Sequence, residues 1–240
     1  MTLTVTPISI GDPKIFKKGI GHLKQRDPLL AALIEKHGAL DFRPEGEMFQ
    51  SLVESILTQQ LAWSAASAII ERVRKLFPGG VIEAAALYST PTSKLRKAGV
   101  SPQKIRYLKD LSKRVYKGKL DLQVLKEAED RKLLEALDEV LGIGPWTIHM
   151  LLIFTLGRPD VLPVDDLGIR KAIQSLYSLP DLPKKEEIEK LAINWRPYSS
   201  IASLYLWRHM DTWKEAEEKE VKLNIPAKKT GRRKTDRAIA

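Results

Sequence analysis

Apolar positions recur at helical spacing along most of the chain. Leu29, Leu30, Leu33 and Ile34 mark a helix between Asp27 and His37, with Gly38 as its stop. Met48, Phe49, Leu52, Val53, Ile56 and Leu57 form an amphipathic face over residues 46–60. The next helix runs from Ser64 to Phe77 and ends at Pro78-Gly79-Gly80. A short apolar run from Val81 to Tyr88 leads to Thr90-Pro91, a cap followed by a first-turn proline. Gly99 closes that helix, and Ser101-Pro102 opens one that reaches Gly118 with Ile105, Leu108, Leu111 and Val115 on one side. Further helical patterns cover Arg131–Leu141, Pro145–Leu156, 167–177, 184–194 and 197–213. Residues 1–13 alternate threonine with apolar positions, which suits a short strand or an extended arm. No other two-residue alternation and no internal repeat is present, so the pattern predicts an all-α protein of about ten helices.

The stretch from Val140 to Arg170 departs from this generic picture. Gly142-Ile143-Gly144 lies between two helical segments, and glycine permits the tight, positive-φ turn that joins them. Pro145 suits the first position of the second helix. The unpaired N–H groups of such a turn and helix start form an anion site that a DNA phosphate can fill. About twenty residues on, Pro163 ends the preceding segment, and Asp165-Asp166 stand directly before the helix that begins at Leu167. Capping that helix needs one carboxylate. The other is left for chemistry near the turn.

Composition narrows the partner and excludes several classes. The 240 residues allow one large domain or two small ones. A net charge of +10 suggests a polyanionic partner. From Val221 onward, however, seven Lys/Arg face one Asp, so +6 of that charge sits in the tail. The tail, residues 221–240, reads as a basic, disordered segment adding salt-sensitive attraction to DNA. The absence of cysteine excludes disulfides, zinc–thiolate sites and four-cysteine iron–sulfur clusters. With only four histidines and no clustered acidic ligands, no metal site is expected. The N-terminus has no secretory pattern, and the apolar run Ile148–Leu156 is too short to span a bilayer. The expectation is a soluble protein of the cytoplasm and nucleoid, or of the nucleus in a eukaryote.

Leu141-Gly142-Ile143-Gly144-Pro145-Trp146-Thr147 followed by Leu162-Pro163-Val164-Asp165-Asp166-Leu167-Gly168-Ile169-Arg170 resembles the helix–hairpin–helix–Gly/Pro/Asp superfamily of DNA glycosylases. The similarity is greatest to its alkylpurine branch, the 3-methyladenine DNA glycosylase II type. Ile56-Leu57-Thr58-Gln59-Gln60, Trp195-Arg196-Pro197-Tyr198-Ser199-Ser200 and Leu204-Tyr205-Leu206-Trp207 support that branch, in family order from about residue 45 to 213.

The resemblance implies two helical subdomains, 46–160 and the combined 14–45 and 161–213, with a cleft between them. It also implies a protein that everts a nucleotide from double-stranded DNA containing alkylated bases. Gly142, Ile143, Gly144 and Thr147 would grip the backbone, with a monovalent cation held by nearby carbonyls and no other cofactor. Gln59, Gln60 and Leu61 form the wedge loop, with Gln60 or Leu61 entering the vacated stack. Trp146 and Trp207 match the family's base-pocket tryptophans, with Tyr205 and Tyr198 as secondary candidates. Met150 stands where family pockets usually carry another aromatic, and Ser199 where some relatives carry arginine. Trp195 and Trp213 read as core, and His149 as a packed or surface residue.

The alkylpurine pattern assigns the essential carboxylate to Asp166, leaving Asp165 as helix cap. The wider superfamily pattern, with Arg170 as its arginine, points instead to Asp165. Relatives that also cut the strand carry a lysine where this chain has Trp146, so the resemblance implies a monofunctional, monomeric glycosylase that leaves an abasic site. An oxidised-guanine enzyme is disfavoured by that missing lysine, and a mismatch enzyme by the absence of cysteine. The alternative from a different class is a non-catalytic helix–hairpin–helix module that only holds DNA; such a module would not need the Asp pair.

Overall fold

The computed structural model describes residues 8–223, with side chains as far as Thr212. Among these residues thirteen α-helices follow one another and no strand forms. They are α1 (Pro13–Arg26), α2 (Pro28–His37), α3 (Met48–Thr58), α4 (Trp63–Arg74), α5 (Ala84–Ser89), α6 (Thr92–Lys97) and α7 (Pro102–Tyr116). After them come α8 (Leu122–Lys126), α9 (Asp130–Asp138), α10 (Pro145–Met150), α11 (Leu167–Leu176), α12 (Lys185–Leu191) and α13 (Ser199–Leu223). Short 3₁₀ turns occupy Pro78–Gly80 and Ala192–Trp195, and α10 continues as a π-helical turn over Leu151–Thr155.

Local chemistry sets most of the boundaries. Asp12, Asp27, Ser101 and Asp121 each accept a backbone N–H of the helix they precede, and proline occupies the first turn of α1, α2, α7 and α10. Gly38 ends α2 at a φ of 68° that other residues adopt only with strain. Two helices, α1 and α8, add to those the pattern predicts, and one expected element does not form among the described residues. Residues 8–12 form no strand, because Ile10 buries its side chain and Asp12 turns the chain into α1; residues 1–7 lie outside the described part. The basic tail also lies outside it, apart from the end of α13.

Helices α3 to α10 pack on one another, with α3 touching α4, α7, α8 and the π-turn, while α5 and α6 lie on α7. Helices α1, α2 and α11–α13 form a second set, joined by the 3₁₀ turn before Arg196. One apolar core runs through both sets, including Leu52 and Ile56 of α3, Leu108 of α7, Ile148 of α10, Ile173 of α11 and Leu206 of α13. Each such side chain stabilises the fold by roughly 1.5–3 kcal/mol on burial. Gly19 lets α1 approach α13 closely, since a Cβ there would lie 2.4 Å from Ile201 Cδ1.

Backbone bonds stitch the sets together: Ile10 N–H donates to Gly157 O (2.7 Å), and Glu45 N–H donates to Phe154 O (2.9 Å). These ties carry the segment before α3 across the π-turn and bring Phe42 against Phe154. Among the described residues no helix is long and apolar enough to cross a membrane.

Candidate active site

Asp166 is the meeting point of three helices. The turn Pro163–Asp166 closes through Asp166 N–H to Pro163 O (3.0 Å), which leaves Asp166 extended (φ −72°, ψ 121°) as the N-cap of α11. Its Oδ1 accepts the N–H of Ile169 (2.8 Å) and the indole N–H of Trp207 on α13 (3.0 Å). Its Oδ2 accepts the indole N–H of Trp146 on α10 (2.7 Å). A carboxylate offers about four acceptor directions, so these three donors leave one on Oδ2. The pocket of donors fixes the orientation of the group without closing it, since Trp146 remains 47% exposed. Gly168 makes this approach feasible: a Cβ there would lie 3.0 Å from Asp166 Oδ1 and 3.3 Å from Trp207 Cδ1.

Aromatic side chains extend the site away from the carboxylate. Trp207 lies 5.4 Å from Phe154, centroid to centroid, and Phe154 meets Phe42 edge-on at 5.9 Å. Phe154 lies within the π-turn that continues α10 and is exposed, on the same side as Met150. Met150 and Phe154 line a cavity of about 270 Å³ whose other sides come from α3 and Trp63.

The hairpin stands beside this cleft. Ile143 N–H donates to Val140 O (3.1 Å), and Gly142 has a φ of 79°. A side chain at Gly142 would also collide with Tyr107, 2.1 Å from the position of a Cβ. Gly144 caps α10, whose first turn leaves the N–H groups of Trp146 and Thr147 without a helical partner. The Gln59 side-chain amide donates to Gly142 O (2.7 Å) and ties the α3–α4 loop to the hairpin. Lys104 Nζ donates to Leu57 O (2.7 Å) at the end of α3, and burial pulls its pKa below the ordinary lysine value. A groove of about 510 Å³ runs along the hairpin past Gln60 and Lys104. Gln60 adopts a φ of 57°, rare for a residue with a side chain, and Leu61 beside it is exposed.

Residues 53–197 match the family described as HhH-GPD superfamily base excision DNA repair protein. The chain belongs to this family. Solved structures similar to this chain include a DNA-3-methyladenine glycosidase from Bacillus halodurans, 38% identical, with a TM-score of 0.75 over 87% of this chain and 94% of that one. The Schizosaccharomyces pombe 3-methyladenine DNA glycosylase Mag1, solved in complex with abasic DNA, is 30% identical with a TM-score of 0.72 over 80% of this chain and 95% of that one. A putative DNA-3-methyladenine glycosylase from Bacillus subtilis, YfjP, is 32% identical over 76% of this chain and 66% of its own length.

Within this HhH-GPD fold several expected residues sit elsewhere than the resemblance implies. Tyr205 is fully buried and donates its hydroxyl to Gly38 O (2.9 Å), because two residues along α13 turn it to the side opposite Trp207. Tyr198 is buried against Gly19 and the ring of His22. The helix cap is Asp166 itself; Asp165 is exposed and faces His149, whose pKa burial lowers and Asp165 raises. Ile143 and Thr147 are buried as whole residues, so neither offers its side chain to a ligand. Ser199 donates to Asp160 Oδ1 (2.5 Å), and Arg170 donates to Pro183 O (3.0 Å); both brace loops. Trp195 is core, as its sequence context suggests, while the Trp213 side chain lies outside the described part. Phe42, Phe154 and Trp63 were not evident from motifs. Of the three, only Phe154 carries a sequence signal, at i+4 from Met150 and i+8 from Trp146 on one helical face.

Proposed function

We propose that this protein is a monofunctional DNA glycosylase that everts an alkylated purine nucleotide from double-stranded DNA and hydrolyses its N-glycosidic bond. The observation that carries this reading is the Asp166 carboxylate, held by the indole N–H groups of Trp146 and Trp207 with one acceptor direction left over. A carboxylate so placed stabilises the oxocarbenium-like sugar as the base departs, or accepts a proton from the attacking water. The electron-rich faces of Trp207 and Phe154 attract a base made cationic by alkylation. Trp146 offers no amine for a Schiff base, which supports hydrolysis that leaves an abasic site.

The unpartnered N–H groups of Trp146 and Thr147, with the Gly142–Gly144 turn, supply a phosphate clamp. A monovalent cation held by main-chain carbonyls of the turn would add positive charge beside the phosphate, with Gly142 O shared between the ion and the Gln59 amide N–H that it already accepts. Clamp, loop, cavity and carboxylate all come from one chain, so a monomer suffices. Among the described residues no group of histidine and acidic side chains is arranged to hold a metal. The test is release of free 7-methylguanine and 3-methyladenine from methylated duplex DNA. Wild type should release both, and Asp166→Asn should release them about 10²–10⁴-fold more slowly while still binding the duplex. Equal release by the two proteins would remove Asp166 from the mechanism, and no release by wild type would remove the reaction.

A further inference from the structure

The cavity beside Phe154 has a feature that the carboxylate site does not explain. Trp63, the first residue of α4, is 76% exposed, more than any other large apolar side chain of the described core and surface. An indole left in water forfeits burial that the fold supplies to Trp195 completely. Trp63 nevertheless lines the same cavity of about 270 Å³ as Phe154 and Met150. Glu45 and Glu54 also line it, and neither lysine nor arginine does, in a chain whose net charge is +10. Arg74 neutralises Glu54 from outside, which leaves Glu45 as the cavity's own charge. Aromatic faces combined with a carboxylate suit a flat cationic ring. The position in the chain adds a second constraint. Trp63 follows Leu61 by two residues, and that loop is anchored to the hairpin through Gln59. Trp63 already stands at the mouth of the Phe154 cavity, which adjoins the carboxylate site through the Phe154–Trp207 contact, so insertion of Leu61 into a duplex would bring the strand against its indole.

We propose that Trp63 is a specificity-determining residue of this glycosylase: its indole closes the outer side of the Phe154 cavity and stacks on the everted alkylpurine. This rests on the glycosylase reading above and assigns it a second aromatic wall. The test compares wild type, Trp63→Phe and Trp63→Ala in single-turnover excision of 7-methylguanine and of hypoxanthine from otherwise identical duplexes. Affinity for a duplex with a stable abasic-site analogue is measured in parallel. Loss of a base-stacking ring should slow 7-methylguanine excision roughly tenfold or more, and hypoxanthine excision less because that base is neutral. Phe should restore most of the rate. Affinity for the abasic duplex should change less than about twofold, since no base is there to cover.

An equal loss of affinity for the abasic duplex would make Trp63 a plain DNA-surface contact and overturn the assignment, as would unchanged excision. The same substitutions in an Asp166→Asn background separate this outcome from a failure of the catalytic reading. There, the preference for a 7-methylguanine duplex over the abasic one should fall on removal of the indole, whether or not wild type cleaves; an unaltered preference would overturn the proposal.

Discussion

Two aspartates in this molecule are built on one local plan and end in different states. Asp27 and Asp166 are both N-caps in extended conformation, and each carboxylate collects backbone N–H and indole N–H donors. Asp27 accepts from Leu29 and Leu30 (3.0 and 3.1 Å), from Trp195 Nε1 (2.9 Å) and from the Tyr177 hydroxyl. It is 8% exposed, Trp195 is fully buried, and burial pushes the Tyr177 pKa well above the ordinary tyrosine value. Four donors fill its acceptor directions, and nothing is left to offer a ligand. Asp166 has one donor fewer, and its Trp146 partner is half in solvent. The first carboxylate locks α1 and α2 to the segment around Trp195. The second is aimed and remains open. The difference between a structural and a reactive carboxylate lies here in the last donor and in the exposure of the indole, not in the residue or its cap.

The sharpest way to break that comparison is the same isosteric change at both sites. Asp166→Asn keeps an oxygen for Ile169 and Trp207 and turns its amide toward Trp146, which can relax into water. Excision should fall about 10²–10⁴-fold, with a stability change below about 1 kcal/mol. Asp27→Asn sets a buried amide donor against the buried Trp195 N–H, at a cost of about 1–3 kcal/mol. That corresponds to a melting temperature lower by roughly 2–12 °C for a chain of this size, with the excision rate of the folded fraction unchanged. Thermal unfolding and single-turnover rates on the same preparations decide it. A stable but inactive Asp27→Asn protein would mean that the two carboxylates do not divide structure from chemistry as described.

A smaller effect probes the donors. Trp207→Phe keeps an aromatic face beside Phe154 and deletes only the N–H that aims Oδ1. The expected loss is about tenfold in rate, since a hydrogen bond to a charged group contributes about 1.5–3 kcal/mol and part is recovered by water. The equivalent change at the closed site, Trp195→Phe, should instead appear as about 2–4 kcal/mol of lost stability, because it opens a cavity and strands part of the Asp27 carboxylate. Urea unfolding curves separate the two. Similar stability losses at both sites would place Trp207 with the core.

How much of this was legible in the sequence follows the range of the interactions involved. The helix α2, the hairpin and the Asp165–Asp166 turn announce themselves through proline, glycine and capping residues within a few positions of each other. Helix α1 has a capping Asp12 and a first-turn proline, but it buries only Gly19 and Leu23 and carries two glycines, so no apolar stripe marks it; α8 is five residues long. The partner of each aspartate is a long-range fact. Trp195 lies 168 residues from Asp27, and Trp207 lies 41 from Asp166, so nothing local distinguishes the closed carboxylate from the open one. Tyr205 and Trp207 show the same limit at short range. A shared motif brought both to notice, but the helical phase buries one and presents the other. Trp63 carries no periodic signal at all; its importance is visible only as exposure next to a cavity.

The finest test lies at Gly168, in the first turn of α11. Its φ is not in the left-handed region, so alanine suits the backbone, and replacing glycine there should leave stability unchanged or raise it by roughly 0.4–1 kcal/mol. The added Cβ would stand 3.0 Å from Asp166 Oδ1 and 3.3 Å from Trp207 Cδ1, closer than either neighbour tolerates without moving a few tenths of an ångström. An ångström of misplacement at a reacting group costs about a hundredfold, so a shift of that size should slow Gly168→Ala excision by about two- to fivefold. No position of this kind borders Asp27, whose environment is set by rings and backbone in full contact. A protein that is equally stable or more stable yet slower would show that catalysis depends on where the carboxylate points as well as on its presence. Full activity in a Gly168→Ala protein would mean that the open site tolerates displacement, and that exposure alone separates the two aspartates.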